Sequence, residues 1–262
     1  MMIKSKNRVD GVYGGNQVSM LVMDGIAIKS FANGVYDYFI CQLESGSMFP
    51  ISGLASYTLF LLSVTDGAVL TVTQGGFSER LMCSDIVKVE NSTVSVSLDK
   101  GTARILVAGT KESLKSEPSI QYVKNSEVKK VVKPWGHELW FSGEGATYAF
   151  KEIAIRRGTK TSLQYHLLKK ETNVLFQGSV LLHYKNNEAI DNDNVATSDV
   201  STLELHAIAS IDVSPPTLHR LESLTDVVLY EVSTPHLDDV IRVSDDTSRV
   251  HGRIDAEHTP GK

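Results

Sequence analysis

The sequence predicts an all-β chain made of two consecutive β-barrel, or jelly-roll, units. Three observations carry this. Short segments rich in β-branched and aromatic residues recur along the chain, and long helical periodicity is missing. A strand, glycine-containing turn, strand pattern also occurs once in each half, as TLFLLSVTDGAVLTV and as NVLFQGSVLLHY.

In the first half the strand segments are residues 18–22, 36–43, 58–64, 68–73, 94–98 and 103–107. Thr65-Asp66-Gly67 and Asp99-Lys100-Gly101 separate them as turns. The second half repeats the theme with 148–155, 173–176, 180–184, 203–213 and 227–232. Between the halves, residues 111–130 are polar and carry Pro118, the composition of a surface linker. The reading therefore divides the chain into 1–115 and 116–262.

A length of 262 residues accommodates two such units, and a formal charge of -5 is mild. No run of Lys and Arg interleaved with aromatics is present to neutralise several phosphates, which excludes nucleic acid as the expected partner. Residues 1–10 are polar where a signal peptide needs an apolar stretch, and no apolar run reaches the roughly 18 residues of a membrane helix. A cytoplasmic protein with no membrane partner is expected. Cys41 and Cys83 are far apart in sequence and flanked by apolar residues, which reads as two buried reduced thiols.

All eight histidines, from His137 to His258, follow the linker. Chemistry is thereby placed in the second half. From Gly158 the spacing runs G-x5-Q-x-H-x4-E-x6-G, ending at Gly178. Gln164 and His166 stand two apart on a strand and so share a face, Glu171 returns on the neighbouring strand, and Gly178 permits a tight hairpin. His219, in SPPTLHRLE, adds a fourth donor from a distant strand. Two imidazoles, a carboxylate and an amide oxygen suit Zn, Mn, Fe or Ni better than Ca or Mg. A lone His is more often a core or surface side chain than a ligand, but four donors at this spacing favour one divalent transition metal, Zn foremost. Trp135 reads as a plug at a barrel end and His183 as structural.

The spacing resembles the first cupin motif, with Gln in place of the usual first His. Lys-Pro-Trp-Gly at 133–136, Ser-Leu-Gln-x-His at 162–166 and His-Arg-Leu-Glu at 219–222 make residues 131–249 similar to the type II phosphomannose isomerase domain. That domain also occurs fused to mannose-1-phosphate guanylyltransferases. DDVIRVSDDTSR is similar to its acidic, Arg-ended tail. The resemblance implies a tandem cupin, or bicupin, with metal on Gln164, His166, Glu171 and His219. It implies interconversion of an aldose and a ketose phosphate by proton transfer between C2 and C1 through a cis-enediolate. Lys169, Arg220 and Glu222 fall on catalytic positions, with Lys169 and Glu222 as candidate bases. Lys133 and Lys151 would bind the sugar phosphate.

The chain departs from that family at His166-Leu167-Leu168, where polar residues are usual, at Pro216, where a Gly is usual, and at Ser223, which replaces Asn. A related sugar or sugar acid of surface-polysaccharide synthesis is therefore also compatible. So is a non-catalytic regulatory bicupin that binds metal and sugar; an Fe(II) dioxygenase is less suited to a neutral Gln ligand. The first half, 12–110, resembles a degenerate cupin: Ser-Gly-Ser at 45–47 and the Gly67 hairpin fit, but His is absent and Phe60 stands where the Glu would be. A barrel without metal, packing against its partner or building a homodimer, is expected there.

Overall fold

Alternation dictates the strands. Val94–Leu98 reads buried, half-buried, buried, half-buried, buried, as a strand with one face in a core must. A computed structural model describes residues 34–185 and 200–258 in full, and between Arg8 and Ala32 the backbone of four strands. Residues 1–10, read above for a signal peptide, lie outside this description except for Arg8–Val9. No helix among the described residues is long and apolar enough to cross a membrane.

The chain forms two compact units, one over Gln17–Val128 with Gly145–Tyr148, the other over Lys129–Glu144 and Ala149–Lys262 with the first two strands. Strands are numbered along the chain. In the first unit a seven-stranded sheet runs β13 (Ser119–Val123), β10 (Ile86–Glu90), β7 (Ser56–Val64), β12 (Thr102–Thr110), β5 (Asp37–Glu44), β4 (Ile26–Ala32) and β3 (Ser19–Met23). The second sheet is β6 (Met48–Ile51), β11 (Val94–Leu98), β8 (Leu70–Gln74) and β9 (Phe77–Leu81). Their inner faces form one core, in which Leu59, Leu61, Val87 and Ile105 meet Ile51, Val72, Val94 and Val96.

The second unit repeats the plan. Its larger sheet runs β1 (Arg8–Val9), β2 (Val12–Gly14), β21 (Ala209–Val213), β18 (Glu171–Gln177), β23 (Val227–Ser233), β16 (Ala149–Ile155), β15 (Gly136–Ser142) and β14 (Lys129–Lys133). The smaller is β20 (Ser201–His206), β19 (Ser179–Lys185), β22 (Leu218–Ser223), β17 (Leu163–Tyr165) and β24 (Ile241–Ser244). A single turn of helix, α1 (Asp255–His258), follows. Gly178, at φ +90°, makes the tight turn from β18 into β19, where a Cβ would run into the Asp226 carbonyl oxygen; the two strands belong to different sheets, so the turn expected to close a hairpin instead carries the chain across the core.

Three expectations need correction. The polar stretch 111–130 is not a bare linker: Ser119–Val123 pairs with Ile86–Glu90 along five residues, and the units divide after Val128 rather than at 115. Its polar composition is that of a sheet edge with one side in solvent. The stretch 203–213 is two strands, β20 and β21, which leave for different sheets. Cys41 is buried, and burial pushes its thiol up to about 12, whereas Cys83 is exposed.

Candidate metal centre

Along the inner faces of the second unit, every second residue continues from the apolar core into polar side chains. On β18, Glu171 and Asn173 lead to Leu175; on β23, Leu229 leads to Glu231; on β16, Lys151 precedes Ile153 and Ile155; on β15, Glu138 precedes Trp140; on β22, His219 precedes Leu221. All of these line one cavity of about 120 Å3 except Leu175, which stays in the core behind it.

Buried charges are tolerated only when paired. Lys169 Nζ lies 2.5 Å from Glu171 Oε2 and 2.8 Å from Glu231 Oε1, and Lys151 Nζ lies 3.3 Å from the same Glu231 oxygen. Register places Glu231 opposite Lys151 on one side and Asn173 on the other, and Asn173 Nδ2 donates to Glu171 Oε1 at 3.1 Å. Burial pulls the Lys169 ammonium toward neutrality, but the two carboxylates beside it win and its pKa is raised. Burial pushes Glu231 and Glu171 up; Lys151 and Lys169 more than reverse this at Glu231, and Lys169 with the two imidazoles does so at Glu171. Both carboxyls end below the ordinary range.

Glu171 also faces both histidines. His166 Nε2 lies 3.4 Å from Oε2 and His219 Nε2 3.2 Å from Oε1. Each ring is oriented from behind: His219 Nδ1 sits 3.0 Å from the Thr217 carbonyl oxygen, and His166 Nδ1 against that of Asp239. A carbonyl accepts, so Nδ1 carries the proton in both rings and a neutral ring turns its Nε2 lone pair to the carboxylate. Burial lowers the His166 pKa, so this ring is neutral at pH 7, and its buried Nε2 makes no hydrogen bond of acceptable geometry. Lone pairs facing an anion call for a cation between them. The three donor atoms lie within 4.8 Å of one another, and backbone carbonyls behind metal-ligating imidazoles are the usual arrangement. The donor set fits a divalent transition metal.

Gln164, the fourth donor by sequence, lines the same cavity and stands opposite His219 in the β17–β22 pair. Lys133, Lys151 and Lys169 line it too. Arg220 and Glu222 do not. Alternation on β22 that turns His219 and Leu221 inward turns these two outward. Arg220 pairs with Asp246 at 2.9 Å, and Glu222 with His183 at 2.9 Å and Lys160 at 3.1 Å. Glu222→Gln is therefore expected to leave metal content per chain unchanged, as measured by elemental analysis of purified protein; loss of the metal would return Glu222 to the centre. Leu167 and Leu168, 54% and 65% exposed, also stay out of the cavity, and their turn is held by Asp239, whose carboxylate accepts the amides of Leu167, Leu168 and Lys169. Trp135 lines the cavity and packs into the core cluster below it.

No family model matches the chain, and no curated protein does. Solved structures do. Lactobacillus farciminis oxalate decarboxylase in its formate complex superposes with a TM-score of 0.66 at 10% identity, over 91% of this chain and 90% of that one. Bacillus subtilis oxalate decarboxylase, described with its Mn(II) centres, gives 0.66 at 9% identity over 91% and 81%. Protein Ylba of E. coli gives 0.61 at 11% over 88% and 87%. These are cupin-fold proteins. The fold is that of a bicupin.

Within this bicupin, several cavity residues carried no motif. Glu231 had a readable signal: it is the one acid in the apolar run VVLYEV, at the parity of Leu229. Glu138 and Trp140 share their parity on β15, and the indole Nε1 donates to Glu138 Oε2 at 2.8 Å while its ring lies 4.5 Å from Lys151 Nζ. Arg242 on β24 and Arg249 after it reach the cavity from the DDVIRVSDDTSR tail, to which the sequence assigned no site role, and His258 reaches it with no local signal. Among the described residues of the first unit, no group of His, Cys, Asp or Glu is spaced to hold a metal, and Phe60 is buried.

Proposed function

We propose that the second unit is a metal-dependent enzyme that interconverts an aldose phosphate and its ketose, as its sequence resemblance implies. The observation that carries this reading is the cavity lining: Glu171 and His219 of the three-donor centre, whose third donor His166 lies 3.4 Å from Glu171, share one small space with the cations Lys133, Lys151 and Lys169 and the carboxylate Glu231. A divalent ion held by His166, Glu171 and His219, with Gln164 beside them, supplies Lewis acidity toward a substrate oxygen. Zn suits the donors, and Mn is the metal named for the B. subtilis neighbour.

Lys169 stays protonated between its carboxylates and donates to a substrate oxygen on which negative charge develops. Glu231 takes the place expected of Glu222 as the group that removes and returns the carbon-bound proton. Substrate that draws Lys151 and Lys169 toward itself leaves Glu231 to its burial, which raises its basicity. Lys133 and Lys151 neutralise the anionic end.

The test uses protein loaded with Zn or Mn under anaerobic conditions and a panel of hexose and pentose phosphates and free sugars in deuterated water. NMR should show ketose signals and deuterium entering C2 for one panel member, with no need for dioxygen. Bound metal with no reaction anywhere in the panel would reject the isomerase and leave a metal- and sugar-binding bicupin.

A further inference from the structure

One wall of the cavity is a segment that belongs to neither sheet. Residues 253–258, ending in α1, contribute Arg253, Ile254 and His258 to its lining. Glu257 beside them splits its carboxylate between two cavity cations: Oε2 lies 2.7 Å from Lys133 Nζ, and Oε1 lies 3.6 Å from Arg249 Nη1. All three side chains are largely buried. We propose that this segment is a displaceable plug, and that Glu257 holds the place of the substrate's own anionic group, a phosphate or a carboxylate, at a subsite formed by Lys133 and Arg249.

Three observations support it. The first is charge. Apart from the segment, the cavity is lined by Lys133, Lys151, Lys169, Arg242 and Arg249 against Glu138, Glu171 and Glu231, five cations to three carboxylates. Glu171 and Glu231 are taken by Lys151 and Lys169, whereas Lys133 without Glu257 keeps only Glu138 at 3.7 Å. An anion is needed at Lys133 whenever Glu257 leaves, and Arg249, which keeps Asp245 at 2.8 Å, stands beside it as a second donor. The second is space. About 120 Å3 falls short of the roughly 300 Å3 at which ligand pockets begin, so a sugar-sized molecule needs the segment out. The third is weak attachment. No residue of α1 is fully buried, four residues are too few for a helix to hold itself, and the packed His258 ring leaves Nδ1 without a hydrogen bond. Ion pairs, Glu257 with Lys133 and Arg253 with Glu144 at 2.5 Å, rather than apolar burial hold the segment, so it opens when an incoming anion takes over Lys133.

The inference deepens the function proposed above and rests on it only for what the rest of the ligand is. The apparent affinity of a site that is open a tenth of the time is lowered about tenfold. Zinc-loaded Glu257→Gln protein, which keeps the size of the side chain and drops its charge, should bind inorganic phosphate or acetate about tenfold more tightly than the parent by calorimetry. Whichever anion gains identifies the group. The double variant Glu257→Gln/Lys133→Met should lose the gain, and saturating the parent with that anion should speed amide exchange in 253–258. No gain with either anion, or a gain that survives Lys133→Met, overturns the proposal. Anion binding is read without turnover, so a positive result beside a silent sugar panel would keep the subsite and discard the isomerase.

Discussion

His219→Ala and His166→Ala are each expected to strip the metal from the second unit. The centre has three donors that face one another, and removing either imidazole leaves Glu171 with one ring. Loss of an outer hydrogen-bond partner alone lowers metal affinity about 10–100-fold, so loss of a donor should exceed about 100-fold. Asp239→Ala provides the graded comparison. Its carboxylate fixes the Leu167–Lys169 turn, while the backbone carbonyl that orients His166 survives the substitution, so the variant should lose no more than about 10-fold, the lower end of that band. Competition with a chromogenic chelator measures all three. Because burial holds the His166 ring below its ordinary value of about 6.5, protons should begin to compete with the metal only under that pH. Full metal retention by His219→Ala would refute the centre.

The site was legible where local spacing sets geometry. Gln164, His166, Glu171 and Gly178 lie within one strand, turn, strand unit, so their separations in sequence become separations in space. His219 was legible from its own motif, and register then set it opposite Gln164. The errors came from applying the two-residue period to one strand and not to the next. If His219 faces inward, Arg220 and Glu222 face outward, and both assignments fail on the rule that gives Gln164 and His166 a common face. The same rule finds Glu231, whose parity with Leu229 puts a carboxylate among core positions. Lys133 and Lys151 line the cavity, and the partners that hold them, Glu257 and Glu231, come from 124 and 80 residues away. No window of sequence shows such pairs. The edge strand Ser119–Val123 was missed for a related reason: with one side in solvent it needs few apolar residues, and its composition is that of a loop.

Lys169→Met is expected to destabilise the metal-free protein by about 3–5 kcal/mol, the scale for removing one partner of a buried ion pair. The ammonium stands between Glu171 and Glu231, and all three groups are buried, so methionine keeps most of the volume and leaves two carboxylates with Lys151 alone. The loss should depend on pH with a definite sign. In the parent both carboxyls are held below their unfolded value of about 4.3, so their stabilisation is present above that pH and is lost as pH falls through the folded values. Without Lys169, burial is opposed less and both rise, so the variant folds with carboxyls that take up protons more readily. Its deficit should be largest near pH 7.5 and smaller near pH 5. Urea unfolding at the two pH values measures this, and an equal deficit at both would reject the arrangement. Added zinc should then stabilise Lys169→Met more than the parent, since a dication beside Glu171 replaces the missing charge and ligand binding to the folded state adds directly to its stability. Retention of metal with loss of turnover in that variant would separate the two parts Lys169 plays, counter-charge to the carboxylates and proton donor to the substrate.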